Sequence, residues 1–262
     1  MKWKIWLFFP LISLVFSSLT YSSEIMFPAT QIETRLGSLA VYSANSEKKF
    51  NFQVKSDDEI KAVGYSIFKN VTNDIESSGK GSSITAKYIV SISAKRSLWL
   101  KAGLGNYEIE LPSTTVKNNL SGGEQSYIFG VGYRSRLFPD TIVSPAISVE
   151  FGVNYESYKL NKLKQSDSVS YAIDKKLELL NMQAAVVVSK RIPFIEPYGG
   201  LKVFRTNATI TDNLNSVSAS GIRDNASLFL GAKADLFDKQ ALMVEVSFVG
   251  ETTLAAGWNI YF

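Results

Sequence analysis

The chain of 262 residues contains no histidine and no cysteine. Without histidine, catalytic schemes in which an imidazole serves as base or orienting group are closed to it. Without histidine and cysteine, zinc and copper lose their usual ligands, although oxygen ligands for calcium are still present in loops. Lack of cysteine also excludes a disulfide framework and lipid attachment behind a leader. Beyond the first 20 residues no apolar run is long enough to cross a bilayer as a helix. No basic stripe or stacking motif suits nucleic acid, so none is expected as a partner.

The chemistry that remains is sparse. A Ser-Lys or paired-carboxylate site is conceivable, but no spacing singles one out. Asp57-Asp58-Glu59 reads as solvated turn residues. Gly79-Lys80-Gly81 and Gly122-Gly123 lack the strand-loop-helix setting of a phosphate cradle and read as turn glycines. The expectation is no catalytic residue, no resident metal, no cofactor and no enzymatic activity.

The amino terminus has the order of a secretory leader. Lys2 and Lys4 are followed by an apolar core from Ile5 to Phe16 and a small-x-small site at Thr20-Tyr21-Ser22. Residues 1–22 are therefore expected to be removed, leaving residues 23–262 as a single domain. Losing two lysines takes the formal charge from +4 to +2. An exported chain without helical spans can still cross a membrane with strands, whose alternation hides their apolar face from hydropathy averages.

Alternation is what the rest of the chain shows. Residues 24–35 form a mixed lead with Pro28 and no clear period. Leu36 to Ala44 and Lys49 to Lys55 read as a hairpin, followed by strands at Glu59 to Lys69, Ile84 to Lys95, Ser97 to Glu110, Glu124 to Leu137 and Ile142 to Tyr158. Further strands cover Lys176 to Lys190, Glu196 to Ile210, Asn225 to Leu236, Ala241 to Gly250 and Leu254 to Phe262. Long polar connections at 70–82, 111–123, 159–175 and 211–224 alternate with short turns. One short turn, Glu251-Thr252-Thr253, falls on the long-loop side. This asymmetry fits an antiparallel up-and-down transmembrane β-barrel of about 10 to 12 strands, with its termini on the side of the tight turns.

The two faces of these strands differ. Rows such as Ile84, Ala86, Tyr88, Val90 and Ile92, or Val143, Ile147, Val149, Phe151, Val153 and Tyr155, are expected to face lipid. Tyr88, Tyr133, Tyr155 and Trp258 suit interfacial girdles. The opposite rows carry the candidate lumen charges Lys87, Lys101, Arg134, Arg136, Glu150, Lys233, Asp235 and Glu245, with Gly103, Gly105, Gly130 and Gly132 among them. A turn centred on Lys239 would set Lys233 opposite Glu245. A barrel this narrow favours a filled interior over an open one.

The last stretch, Gly257-Trp258-Asn259-Ile260-Tyr261-Phe262, alternates an apolar row with a small or polar row and stops on Phe262. It resembles the terminal strand of Gram-negative outer-membrane β-barrels. That resemblance implies an assembly signal at Gly257, Trp258, Ile260 and Phe262, read by the barrel-assembly machinery. Glu196-Pro197-Tyr198-Gly199-Gly200-Leu201-Lys202 is similar to strand openings in OmpA-like and OmpW-like small barrels. The resemblance implies an outer-membrane location, with lipid and the assembly machinery as partners and a surface ligand of unidentified chemistry. Two roles follow: an envelope scaffold presenting extracellular loops, or a small porin-like channel for ions or solutes, to which Lys87, Lys101, Arg134 and Arg136 would lend weak anion preference.

Overall fold

A computed structural model describes residues 27–32, 37–53, 74–111, 118–122, 126–165, 169–214 and 217–262. They form eleven strands after a short 3-10 turn, Ala29–Ile32. The strands are β1 (Gly37–Gln53), β2 (Asp74–Ser93), β3 (Arg96–Leu111), β4 (Asn118–Gly122), β5 (Tyr127–Phe138), β6 (Ala146–Gln165), β7 (Val169–Ser189), β8 (Ile195–Asp212), β9 (Val217–Phe237), β10 (Gln240–Phe248) and β11 (Thr252–Tyr261). The leader, the Asp57-Asp58 turn and the Glu59 to Lys69 strand expected from the sequence lie outside the described residues.

Every pairing is antiparallel, and the sheet closes through β1–β2 and β1–β11. Strands β4 and β5 share one position between β3 and β6. β4 pairs with Tyr107 to Leu111 of β3, and β5 with Arg96 to Gly103. The described residues thus make a ring of ten strand positions, a transmembrane β-barrel with no free edge.

The outward rows are apolar, as alternation required. Ile84, Leu100, Leu104, Phe129, Val131, Phe151, Val203, Leu230 and Val244 are all exposed. Such a belt is stable only against lipid. Val143, expected to continue it, instead lies in the 139–145 connection and is 93% exposed. Lys190 fastens that connection, its ammonium reaching Asp140 at 3.1 Å.

The strands are longer than a membrane requires. β7 and β9 have 21 residues each; at roughly 3.3 Å per residue and about 40° of tilt they rise about 50 Å, twice the apolar band of such barrels. The segments expected as long loops are therefore mostly strand. Residues 74–82 belong to β2, 159–165 to β6, 169–175 to β7 and 217–224 to β9. The Leu36–Ala44 and Lys49–Lys55 hairpin is likewise one strand, β1, paired with β2 from Gly37 to Gln53.

The cause of both misreadings is a change of phase. Near the termini, apolar side chains point outward: Val41 on β1, Met182 and Val186 on β7, Leu201 and Val203 on β8. Towards the other end they point inward: Phe50 and Phe52, Leu177 and Leu179, Ala208 and Ile210 are buried. Lipid surrounds the first half and water the second, so the apolar face changes sides within a continuous strand.

The barrel also narrows. The β10–β11 hairpin stops at a tight turn where Val249 and Gly250 have φ of 66° and 78°. Above it β1 and β9 pair directly, Phe52 with Gly221 and Gln53 with Ser220. Ten strand positions at the end carrying the termini become eight at the far end, a width that side chains fill. At the opposite turn, β9 and β10 shift register between Gln240 and Ala241, which sets Lys233 opposite Met243. The expected Lys233–Glu245 opposition does not form.

A candidate functional site in the lumen

The lumen holds three layers. The layer nearest the termini is built around the segment before β1, which enters the barrel instead of lying outside it. Phe27, Ala29 and Thr30 are essentially inaccessible. The Phe27 ring takes the ammonium of Lys87 at 5.1 Å and the guanidinium of Arg134 at 6.0 Å from its centroid. Lys87 also lies 4.2 Å from the centroid of Trp99. Such contacts are strongest when water is excluded.

Glu150 joins this cluster to the wall. It accepts from Lys87 Nζ at 3.1 Å and from Arg134 Nε at 2.6 Å, with a second Arg134 bond through Nη2. Arg134 Nη1 also donates to the Pro28 carbonyl at 3.2 Å, holding the inner segment by its backbone. A second group of bonds holds the other side. Ala29 N donates to Ser189 Oγ at 3.0 Å, Thr30 Oγ1 donates to Glu196, and Glu196 pairs with Lys233 at 2.9 Å.

The middle layer is polar. Tyr42, Lys48, Ser83, Thr85, Lys101, Ile128, Asn154, Glu156, Asn181, Gln183, Lys202 and Glu251 enclose a cavity of about 20 Å³. Every one of them is buried. Lys202 pairs with Glu251, and Glu156 accepts from the Tyr158 hydroxyl at 2.8 Å.

The far layer is apolar. Phe50, Phe52, Tyr107, Ile109, Leu120, Tyr158, Leu160, Leu163, Leu177, Leu179, Ala208, Ile210 and Ala219 form one cluster. The rings of Tyr107 and Tyr158 meet with centroids 5.0 Å apart. At its edge Lys175 lies 3.6 Å from Asp212, and burial pushes its ammonium below the ordinary lysine range against the pull of that carboxylate.

Six of the eight candidate lumen charges, Lys87, Lys101, Arg134, Glu150, Lys233 and Glu245, are buried inside the barrel. Arg136 and Asp235 lie at the rim instead: Arg136 donates to the Ala94 carbonyl at 2.8 Å, and the Asp235 side chain is 48% exposed. Sequence reasoning missed Phe27, Trp99, Lys48, Lys202 and Glu251. For Phe27 the signal was an aromatic-proline pair in an otherwise mixed lead. Lys48 was hidden because it sits where β1 changes phase. On β11, Gly257 and Asn259 point inward while Ile260 is exposed, as is Phe262 just beyond the strand.

Larger hollows lie outside the barrel. One groove of about 770 Å³ runs over Leu98, Val131, Phe151, Val153, Met182 and Val203, within the apolar belt. The Arg205–Asp224 ion pair, with Nη2 to Oδ2 at 2.6 Å, stands at its edge.

No protein-family model matches the chain, and no curated protein matches it. Among solved structures it is similar to the outer membrane protein OprG from Pseudomonas aeruginosa, at 9% identity over 88% of this chain and 98% of that one, with a TM-score of 0.44. It is similar to the translocator domain of the autotransporter NalP from Neisseria meningitidis, at 12% identity over 86% and 88%, with a TM-score of 0.41. The toluene transporter TodX from Pseudomonas putida aligns at 9% identity over 93% of each chain, with a TM-score of 0.34.

Proposed function

We propose that this chain is a non-enzymatic β-barrel of the Gram-negative outer membrane, serving as an envelope scaffold whose lumen is closed. The observation that supports it is the layered filling: an inserted amino-terminal segment, a polar layer with room for little more than one water, and an apolar plug where the barrel narrows. In this reading the termini face the periplasm, and the narrow end projects from the cell surface as paired strands. Its outward side chains there, among them Lys49, Glu76, Lys162 and Lys164, form the surface on which a ligand would be met. Lipid covers the belt, and the barrel-assembly machinery reads Gly257, Trp258, Ile260 and Phe262.

The experiment is single-channel conductance of the refolded chain in a planar bilayer, after heat-resistant folding is verified. Silence is expected. Reproducible conductance steps would replace the scaffold with the porin-like reading.

A further inference from the structure

The middle layer has a charge imbalance. Lys48, Lys101 and Lys202 face Glu156 and Glu251 around one enclosed cavity. Among the described residues the other buried carboxylates do not restore balance: Glu196 pairs with Lys233, and Glu245 lies against Tyr198 in the layer nearest the termini. Glu150 already serves both Lys87 and Arg134, and Arg223 acts on Glu251 as a further cation. Lys101 stands directly opposite Lys87 across β2–β3, an arrangement that like charges disfavour. An excess positive charge away from water is costly unless a counter-charge accompanies it.

The cavity, about 20 Å³, exceeds the ~10–15 Å³ that one water needs. Asn181 lines it with a carboxamide oxygen that has no hydrogen-bond partner. Turned about its last bond, that amide presents N–H to the same space. Three ammonium groups, an amide and the hydroxyls of Ser83 and Thr85 can all donate inward. A space of that size suits a monatomic anion better than a polyatomic one.

We propose that the central chamber binds one small monatomic anion, chloride under ordinary conditions, as a structural counter-ion of the lumen. The proposal rests on the closed lumen of the scaffold reading, which conductance tests separately. It predicts that folding is linked to chloride activity, because only the closed barrel assembles the three lysines.

The test is urea unfolding of the chain folded in vesicles, at constant ionic strength, with sodium chloride replaced stepwise by sodium gluconate. Above the dissociation constant, each tenfold rise in chloride is expected to raise the equilibrium constant for folding about tenfold. Lys48→Met takes away one of the three ammonium groups that line the cavity and should lower that dependence. If Lys48→Met does not fold, crystals soaked in bromide decide by anomalous scattering: a peak among Lys48, Lys101 and Lys202 supports the site. Equal stability in chloride and gluconate, an unchanged chloride dependence in Lys48→Met, or an absent bromide peak would each overturn it, leaving water as the occupant.

Discussion

Two residues carry unusual responsibility for how the lumen is packed. Glu150 holds the charge of both Lys87 and Arg134 inside the barrel. Glu150→Gln leaves two buried cations without their shared carboxylate, and breaking a buried pair in this way costs about 3–5 kcal/mol. The urea midpoint of the folded barrel should fall accordingly, whereas Arg205→Ala, on the exposed Arg205–Asp224 pair, should leave it within measurement scatter. Gly132 is the second. A Cβ there would lie 2.2 Å from Trp99 Cζ2 and 2.4 Å from the Phe151 carbonyl oxygen, so the indole rests where any side chain would stand. Gly132→Ala should destabilise by about 1–3 kcal/mol, the range for overpacking. Trp99→Leu in the same chain should recover part of that loss; no recovery would show that backbone crowding against Phe151 dominates.

At the scale of the strand, the change of phase yields a paired comparison on β7. Leu179 points into the far core and Val186 into the belt. Leu179→Ala should cost about 2–5 kcal/mol through lost packing and the cavity left behind. Val186→Ala, which trades one lipid-facing aliphatic for a smaller one, should cost much less by the same urea measurement. Equal losses would mean that the far layer is not a packed core. The same phase change explains what was legible. Where lipid meets the wall, Ile84 to Ile92 or Leu98 to Leu104 keep one apolar row over several residues, and period-two alternation reads directly. Beyond the belt the outward row turns polar, with Lys80, Lys162 and Lys164, while the inward row turns apolar, with Ile109, Leu160 and Ile210. Such a strand resembles a polar loop when judged by the phase of its first half. Lys87, Lys101, Arg134, Glu150, Lys233 and Glu245 could be placed on the inward row because they alternate with the apolar residues of the belt, whereas Arg136 and Asp235 stand at the rim, where that row ends. Phe27 was not legible, because its one local signal, the pair with Pro28, does not say whether the segment fills the barrel or hangs outside it. The Lys233 pairing failed in two one-residue steps that alternation alone does not reveal: the turn sets Gln240 opposite Phe237, and the bulge beside Ala241 shifts the register once more.

At the scale of the molecule, closure is arranged in series. The inserted segment around Phe27 blocks the ten-strand end, and the apolar cluster blocks the eight-strand end. In the scaffold reading each is expected to stop ions alone, the far end by its apolar cluster and the wider end by a segment clamped by Arg134 and Glu196. Deleting residues 27–32 therefore should not open the barrel, although it exposes Lys87 and Arg134 to water at the wider end. Replacing Leu177 and Leu179 with serine should likewise leave it silent while the inserted segment remains. The combination should conduct in a planar bilayer, with selectivity for anions set by Lys48, Lys101 and Lys202 along the path. Conductance from the deletion alone would show that the far layer does not seal, and the scaffold reading would then rest on the amino-terminal segment by itself. Silence from the combined variant, once shown to be folded, would instead place the decisive barrier in the polar middle layer, where the wall is narrow enough for lysines and glutamates from opposite strands to meet.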